Sequence, residues 1–195
     1  MVNKLPPELD NPLETLINAG VDTQLPLYHW LGLSPNGLTT ISLAAGLLAC
    51  VGVYYDYIWP AAVLWLIAYY FDCADGKMAR KYGLTSAFGD LYDHASDVLK
   101  HCILLLLLLY KLPSGQIPFL LGLFVLLLLV GSQMGCQERY LHENDQGGHA
   151  SLTLKVLEQL IVLPNDCLTQ MRYTRYFSPA TLTVYFTAAI LALRV

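Results

Sequence analysis

Apolar residues along this chain come in long runs broken by short polar punctuation, and the run lengths carry the first reading. A helix that crosses a bilayer needs about 20 mainly apolar residues. The first such stretch runs from about Leu38 to Tyr55, behind "SPNGLTT", where Ser34 or Asn36 can cap and Pro35 suits a first helical turn. A turn around residues 56 to 60 leads to a second stretch, from about Ala61 to Ala79. The third starts near Gly89, passes through "CILLLLLLY" and ends at Lys111. "LPSGQIP" is a turn signal, and the fourth stretch covers Ile117 to about Met134. A short final one lies between Pro179 and Leu193.

Two segments are more polar. Residues 8 to 33 mix apolar and polar groups around Tyr28 and Trp30, which suits a helix lying in the membrane interface. In "SLTLKVLEQLIVL", residues 151 to 163, Leu152, Val156, Leu157, Leu160 and Ile161 share one face. Thr153, Lys155, Glu158 and Gln159 lie away from it, so this segment is a second interfacial helix or else a poor further span. The pattern predicts an all-α fold, a polytopic membrane bundle of five to six transmembrane helices with an N-terminal interfacial amphipathic helix. One domain is expected over residues 1–195, with 1–33 as the interfacial segment and 34–195 as the bundle.

Composition agrees. Of 195 residues, 55% are hydrophobic and 13% charged, with a mean hydropathy of +0.48. A soluble domain carries about 25% charged residues. The net charge of −4 argues against a nucleic-acid partner held by bulk electrostatics. Cys50, Cys73, Cys102, Cys136 and Cys167 form no CxxC pair and read as small core residues rather than a disulfide framework or zinc site. The N-terminal "MVNKLPPELDNP" has no apolar h-region, so no cleavable signal is expected and the first span would direct insertion. Placing the connection after the second span in the cytoplasm puts Lys77, Arg80, Lys81, Arg139, Lys155, Arg172 and Arg175 on that side. Lys111 and Arg194 then fall on the other, which satisfies the positive-inside rule.

Against this apolar background stands "FDCADGKMARKYGLTSAFGDLYDHASD", residues 71 to 97. Helical residues three and four apart share a face. Asp72, Asp75 and Ala79 therefore align near the end of the second span, and Gly89, Asp93 and Asp97 near the start of the third. The short connection predicts that these two helices pack as antiparallel neighbours with their acidic faces converging. An aspartate at the centre of a membrane helix costs about 2.5–3.5 kcal/mol, and four together repel one another, so cations must offset them. Carboxylate oxygens suit Mg²⁺ or Mn²⁺, and two ions bridged by shared carboxylates fit the number of acids. Gly76, Ala79 and Gly89 let a bulky group approach the backbone, and Arg80 offers a fixed positive fork for phosphate oxygens. Together these features point to phosphoryl-group transfer at a lipid interface.

The spacing Asp72-xx-Asp75-Gly76-xx-Ala79-Arg80-x8-Gly89-xxx-Asp93-xxx-Asp97 resembles the signature of the CDP-alcohol phosphotransferase family, and "SPNGLT" resembles the segment that opens the first span there. The matching core covers roughly residues 34 to 135. The resemblance implies six spans, a homodimer, and attack of a lipid or small alcohol on the β-phosphorus of a CDP-linked alcohol donor, releasing CMP. It implies Asp72, Asp75, Asp93 and Asp97 as metal ligands, with Asp97 also the general base towards the acceptor hydroxyl. Asp72, Gly76, Ala79, Arg80 and Gly89 would contact the nucleotide and diphosphate. A cytidine-linked donor places the active site on the cytoplasmic face, in the endoplasmic reticulum or Golgi of a eukaryotic cell.

His94 directly after Asp93 resembles the cholinephosphotransferase and ethanolaminephosphotransferase branch, although Ala95 and Ser96 depart from the Gly-Cys expected there. The expected reaction is transfer from CDP-choline or CDP-ethanolamine to a lipid alcohol acceptor such as diacylglycerol. The alternative is a CDP-diacylglycerol-dependent synthase of phosphatidylinositol, phosphatidylglycerophosphate or phosphatidylserine. His94 is a candidate for contacting the acceptor or supporting the ligating carboxylates. Lys100 either neutralises the acids or snorkels towards the interface. His101 reads as a satisfied bundle residue, Asp90 as structural, and residues 137 to 149 as a solvated loop. A divalent-cation transporter is the rival outside this class, but its acids belong near the bilayer midplane rather than at one face.

Overall fold

The computed structural model describes residues 5, 6, 8–112, 116–143 and 166–194, and every regular element among them is an α-helix. In chain order they are α1 (Pro12–Trp30), α2 (Pro35–Tyr54), α3 (Ile58–Lys81), α4 (Ala87–Lys111), α5 (Gln116–Glu143), α6 (Cys167–Thr174) and α7 (Pro179–Ala192). Four predicted spans thus appear as α2 to α5, and the final stretch as α7. α5 runs about two turns beyond its predicted end, and α6 was not expected. The solvated loop predicted from 137 to 149 begins instead as the last turns of α5, where Glu138 and Leu141 are buried. Residues 144–149 and the predicted helix at 151–163, with Lys155, lie outside the described residues.

Local chemistry sets the helix ends. Ser34 caps α2, accepting from the Gly37 amide at 3.1 Å, with Pro35 behind it. Ser86 caps α4 through the Gly89 amide at 3.0 Å, and Asn11 caps α1 through Leu13 at 2.8 Å. α3 stops at Gly83, whose φ of +66° is a left-handed conformation that glycine takes without strain. The Leu84 amide then closes on the Ala79 carbonyl at 2.8 Å, turning the chain back towards α4.

The face that α2 turns into the bundle is made mostly of small and polar groups. Thr39, Ser42, Gly46, Ala49 and Val53 recur every three or four residues along α2 and are all buried. A Cβ on Gly52 would lie 3.0 Å from the Ala61 Cβ, so α2 and α3 approach closely. α2 packs against both α3 and α4. The predicted meeting of α3 and α4 is made by side chains: Asp72 pairs with Lys100 at 3.0 Å, and the Trp65 ring meets His101 at 5.0 Å.

Large apolar side chains cover the outside: Leu66, Leu106, Leu121, Phe124 and Leu128 are exposed. Such a surface matches lipid rather than water. α2 and the Gln116–Leu141 part of α5 are by themselves long and apolar enough to cross a membrane. α3 and α4 have 24 and 25 residues; α3 carries its charged groups towards its C-terminal end, and α4 between Asp90 and Lys100 apart from Lys111. α7, with 14 residues, is only about 21 Å long, less than a bilayer core of about 30 Å.

Two features fasten the acidic end. α1 docks through Lys77 Nζ, which donates to Asp22 Oδ2 at 2.7 Å and to the Asn18 carbonyl at 3.0 Å. Cys136 on α5 and Cys167 on α6 form a disulfide, which corrects the expectation of unbridged cysteines. Their separation of 31 residues gave no motif, and only the packing of α5 on α6 brings the two Cα atoms to 5.1 Å.

Candidate active site

The end of α3 and the start of α4 bring three carboxylates together. One oxygen from each of Asp72, Asp93 and Asp97 lies within 4.8 Å of the others. Asp93 Oδ1 is buried without a hydrogen-bond partner. Asp75, also an expected ligand, stands just outside this triad and is 4% exposed. Its Oδ2 accepts from Thr39 Oγ1 of α2 at 2.6 Å. Lys100, one turn beyond Asp97, is 2.6 Å from Asp97 Oδ1 and 3.0 Å from Asp72 Oδ1. Four carboxylates thus face Lys100 and Arg80, which leaves net negative charge in a partly buried cluster. All-oxygen, all-carboxylate donors with an unsatisfied buried oxygen fit a hard divalent cation, Mg²⁺ or Mn²⁺.

Two cavities, each of about 220 Å³, share Tyr69, Asp72 and Pro179 in their walls. One is polar, walled by Asp75, Gly76, Arg80 and Asp93, with Asp10, Glu14 and Asn18 contributed from the α1 side. Arg80 Nε is buried with no partner, and a Cβ on Gly76 would come within 3.2 Å of Arg80 Nη1. Glycine there clears the space in which the guanidinium lies. The second cavity is apolar, walled by Trp65, Ala68, Val130, Met134 and Leu182, with Asp97, Lys100 and His101 at its polar end.

At the α1 wall, Glu14 Oε1 accepts from Tyr69 Oη at 3.1 Å and from the Ala180 amide at 3.3 Å. Burial pushes the Glu14 carboxyl above its usual range, and Asp10 moves the same way for the same reason. Asn11 Nδ2 donates to Ser178 Oγ at 2.8 Å, so the start of α1 is tied to the start of α7.

Not every expected residue reaches the cavities. Gly89 and Ala79 line neither one. A Cβ on Gly89 would lie 3.1 Å from Asn36 Oδ1, so this glycine permits the first turns of α2 and α4 to approach. His94 turns away: its Nδ1 is 2.8 Å from the Asp90 carbonyl and 3.7 Å from the Asp90 carboxylate. His101 Nδ1 lies 2.8 Å from the Asp97 carbonyl, and its ring meets Trp65 edge-on at 5.0 Å. Thr39, Ser42 and Gly46 were missed. They carry no motif, and the only available signal was the recurrence of small and hydroxyl residues at heptad-like spacing on α2.

A family model described as CDP-alcohol phosphatidyltransferase matches residues 32–193, and the chain belongs to that family. Among characterised proteins, archaetidylinositol phosphate synthase of Pyrococcus horikoshii is 30% identical over 105 residues, 54% of this chain and 52% of that protein. The chain therefore spans about half the length of that curated relative. No solved structure matches this chain.

Proposed function

We propose that the chain transfers a substituted phosphoryl group from a CDP-linked alcohol to a lipid alcohol, with the donor diphosphate in the polar cavity and the acceptor hydroxyl at Asp97. The observation that carries this reading is the place of Asp72 in the walls of both an acidic, arginine-bearing cavity and an apolar one. Arg80, with its unpaired buried Nε, binds phosphate oxygens, and Gly76 keeps the approach open. Asp97, at the polar end of the apolar cavity, takes the proton from the acceptor hydroxyl. The acceptor oxygen forms a bond to the β-phosphorus as the bond from that phosphorus to the bridging oxygen breaks, and CMP leaves. Asp72, Asp75, Asp93 and Asp97 would hold divalent ions, which when bound stabilise the negative charge of the phosphoryl oxygens.

An apolar cavity ending at Asp97 favours a lipid acceptor, and hence CDP-choline or CDP-ethanolamine with diacylglycerol. A lipid-linked donor with a polar acceptor is the second reading, favoured by the name of the Pyrococcus relative. In both, the acidic end of a multi-pass bundle faces the cytoplasm, in the endoplasmic reticulum or Golgi of a eukaryotic cell. The test is CMP release from purified protein with Mn²⁺ or Mg²⁺. CDP-choline and CDP-ethanolamine are offered with diacylglycerol, and CDP-diacylglycerol with inositol, inositol phosphate, serine or glycerol 3-phosphate. Asp97→Asn is expected to lower release by about a hundredfold or more while nucleotide binding persists. Release with CDP-diacylglycerol alone would move the assignment to the second reading, and no release from any pair by folded protein would end both.

A further inference from the structure

We propose that Lys100 is a built-in cation that competes with the divalent ion for Asp72 and Asp97, and so sets how tightly the site takes metal. This rests on reading the aspartate cluster as a metal site. Its ammonium group donates to Ser42 Oγ at 2.9 Å and to Asp72 Oδ1 at 3.0 Å, and it forms an ion pair with Asp97 Oδ1 at 2.6 Å. Lys100 is 3% exposed, so it does not reach for the interface. Its stem crosses α2 at Gly46, where a Cβ would lie 3.0 Å from Lys100 Cδ and 3.3 Å from Lys100 Cβ. Glycine at that point and serine one turn earlier on the same face form a seat shaped for the lysine. A snorkelling side chain would need neither.

The position of the ammonium gives it two opposed effects. It neutralises one edge of the cluster, relieving repulsion between Asp72 and Asp97 before metal arrives. The other edge stays open, since Asp93 Oδ1 has no partner. An entering divalent ion would share the Asp72 and Asp97 carboxylates with Lys100, against the repulsion of the unit charge already beside them. Removing the lysine therefore destabilises the metal-free protein and tightens metal binding. A lysine that only supported the fold would move both properties downwards together.

The test is titration of the purified full chain in detergent with Mn²⁺, following free Mn²⁺ by its paramagnetic resonance signal, alongside thermal melts in EDTA. Lys100→Met and Lys100→Gln are each expected to bind Mn²⁺ about tenfold more tightly than the wild type or better. Both should melt lower in EDTA. Lys100→Gln keeps an uncharged amide donor at this position and serves if Lys100→Met does not fold. Gly46→Ala, which pushes the stem aside without changing charge, should also tighten binding. Unchanged or weaker Mn²⁺ binding in the folded Lys100 variants overturns the proposal while leaving the metal site intact. A folded wild type that binds no Mn²⁺ overturns the metal site itself, and this inference with it.

Discussion

Thr39→Val isolates the attachment of Asp75 to the site. The Thr39 hydroxyl has one proton and two acceptors, Asp75 Oδ2 at 2.6 Å and the Pro35 carbonyl at 3.2 Å, so the shorter, charge-assisted bond takes it. Thr39 is 3% exposed and Asp75 4%, so no bulk water replaces the lost donor. Valine keeps the branched shape and opens no cavity. The loss is then that of a buried hydrogen bond to a charged group, about 2 kcal/mol. If all of it falls on the reacting complex, turnover drops about 30-fold at roughly 1.4 kcal/mol per decade. The assay is CMP release as a function of Mn²⁺ concentration, paired with thermal midpoints with and without metal. A raised Mn²⁺ half-saturation together with lower turnover means that Thr39 holds Asp75 in register with the cluster. A lowered midpoint with unchanged kinetics means that the bond only joins α2 to α3. Thr39→Ser should recover most of either loss. Turnover, half-saturation and midpoint all within about twofold or 1 °C of wild type would refute the reasoning.

Two further predictions concern the scaffold. A Cβ at Gly122 would stand 2.6 Å from Tyr185 Oη, which donates to the Phe119 carbonyl at 2.7 Å. Gly122→Ala should therefore cost about 1 kcal/mol or more by breaking that bond, and a double-mutant cycle of thermal stability with Tyr185→Phe should show clear non-additivity. Strict additivity contradicts the contact. Glu14, raised by burial, binds its proton more tightly in the folded than in the unfolded chain, so its contribution to stability falls as pH rises from the ordinary value of 4.5 through the folded one. Glu14→Gln should remove that decline from the thermal midpoint measured against pH, and a variant curve parallel to wild type through this window counts against the burial of Glu14.

What the sequence determined by itself is what short-range physics controls. Helix starts followed from Ser34 and Pro35, whose capping geometry needs only the next turn of chain. The alignment of Asp72 with Asp75, and of Asp93 with Asp97, followed from helical periodicity, and their need for a cation followed from charge in a chain this apolar. The tertiary structure decided everything that depends on the register between helices. Thr39 meets Asp75 and Ser42 meets Lys100 across 36 and 58 residues of sequence, and no local pattern specifies either pair. It set Asp72 in the walls of two cavities at once. It turned His94 onto Asp90 and away from the carboxylates, and it joined Cys136 to Cys167. Such register is set by how all the helices pack at once, with small residues deciding which backbones approach, and that is a property of the assembled bundle rather than of any one segment.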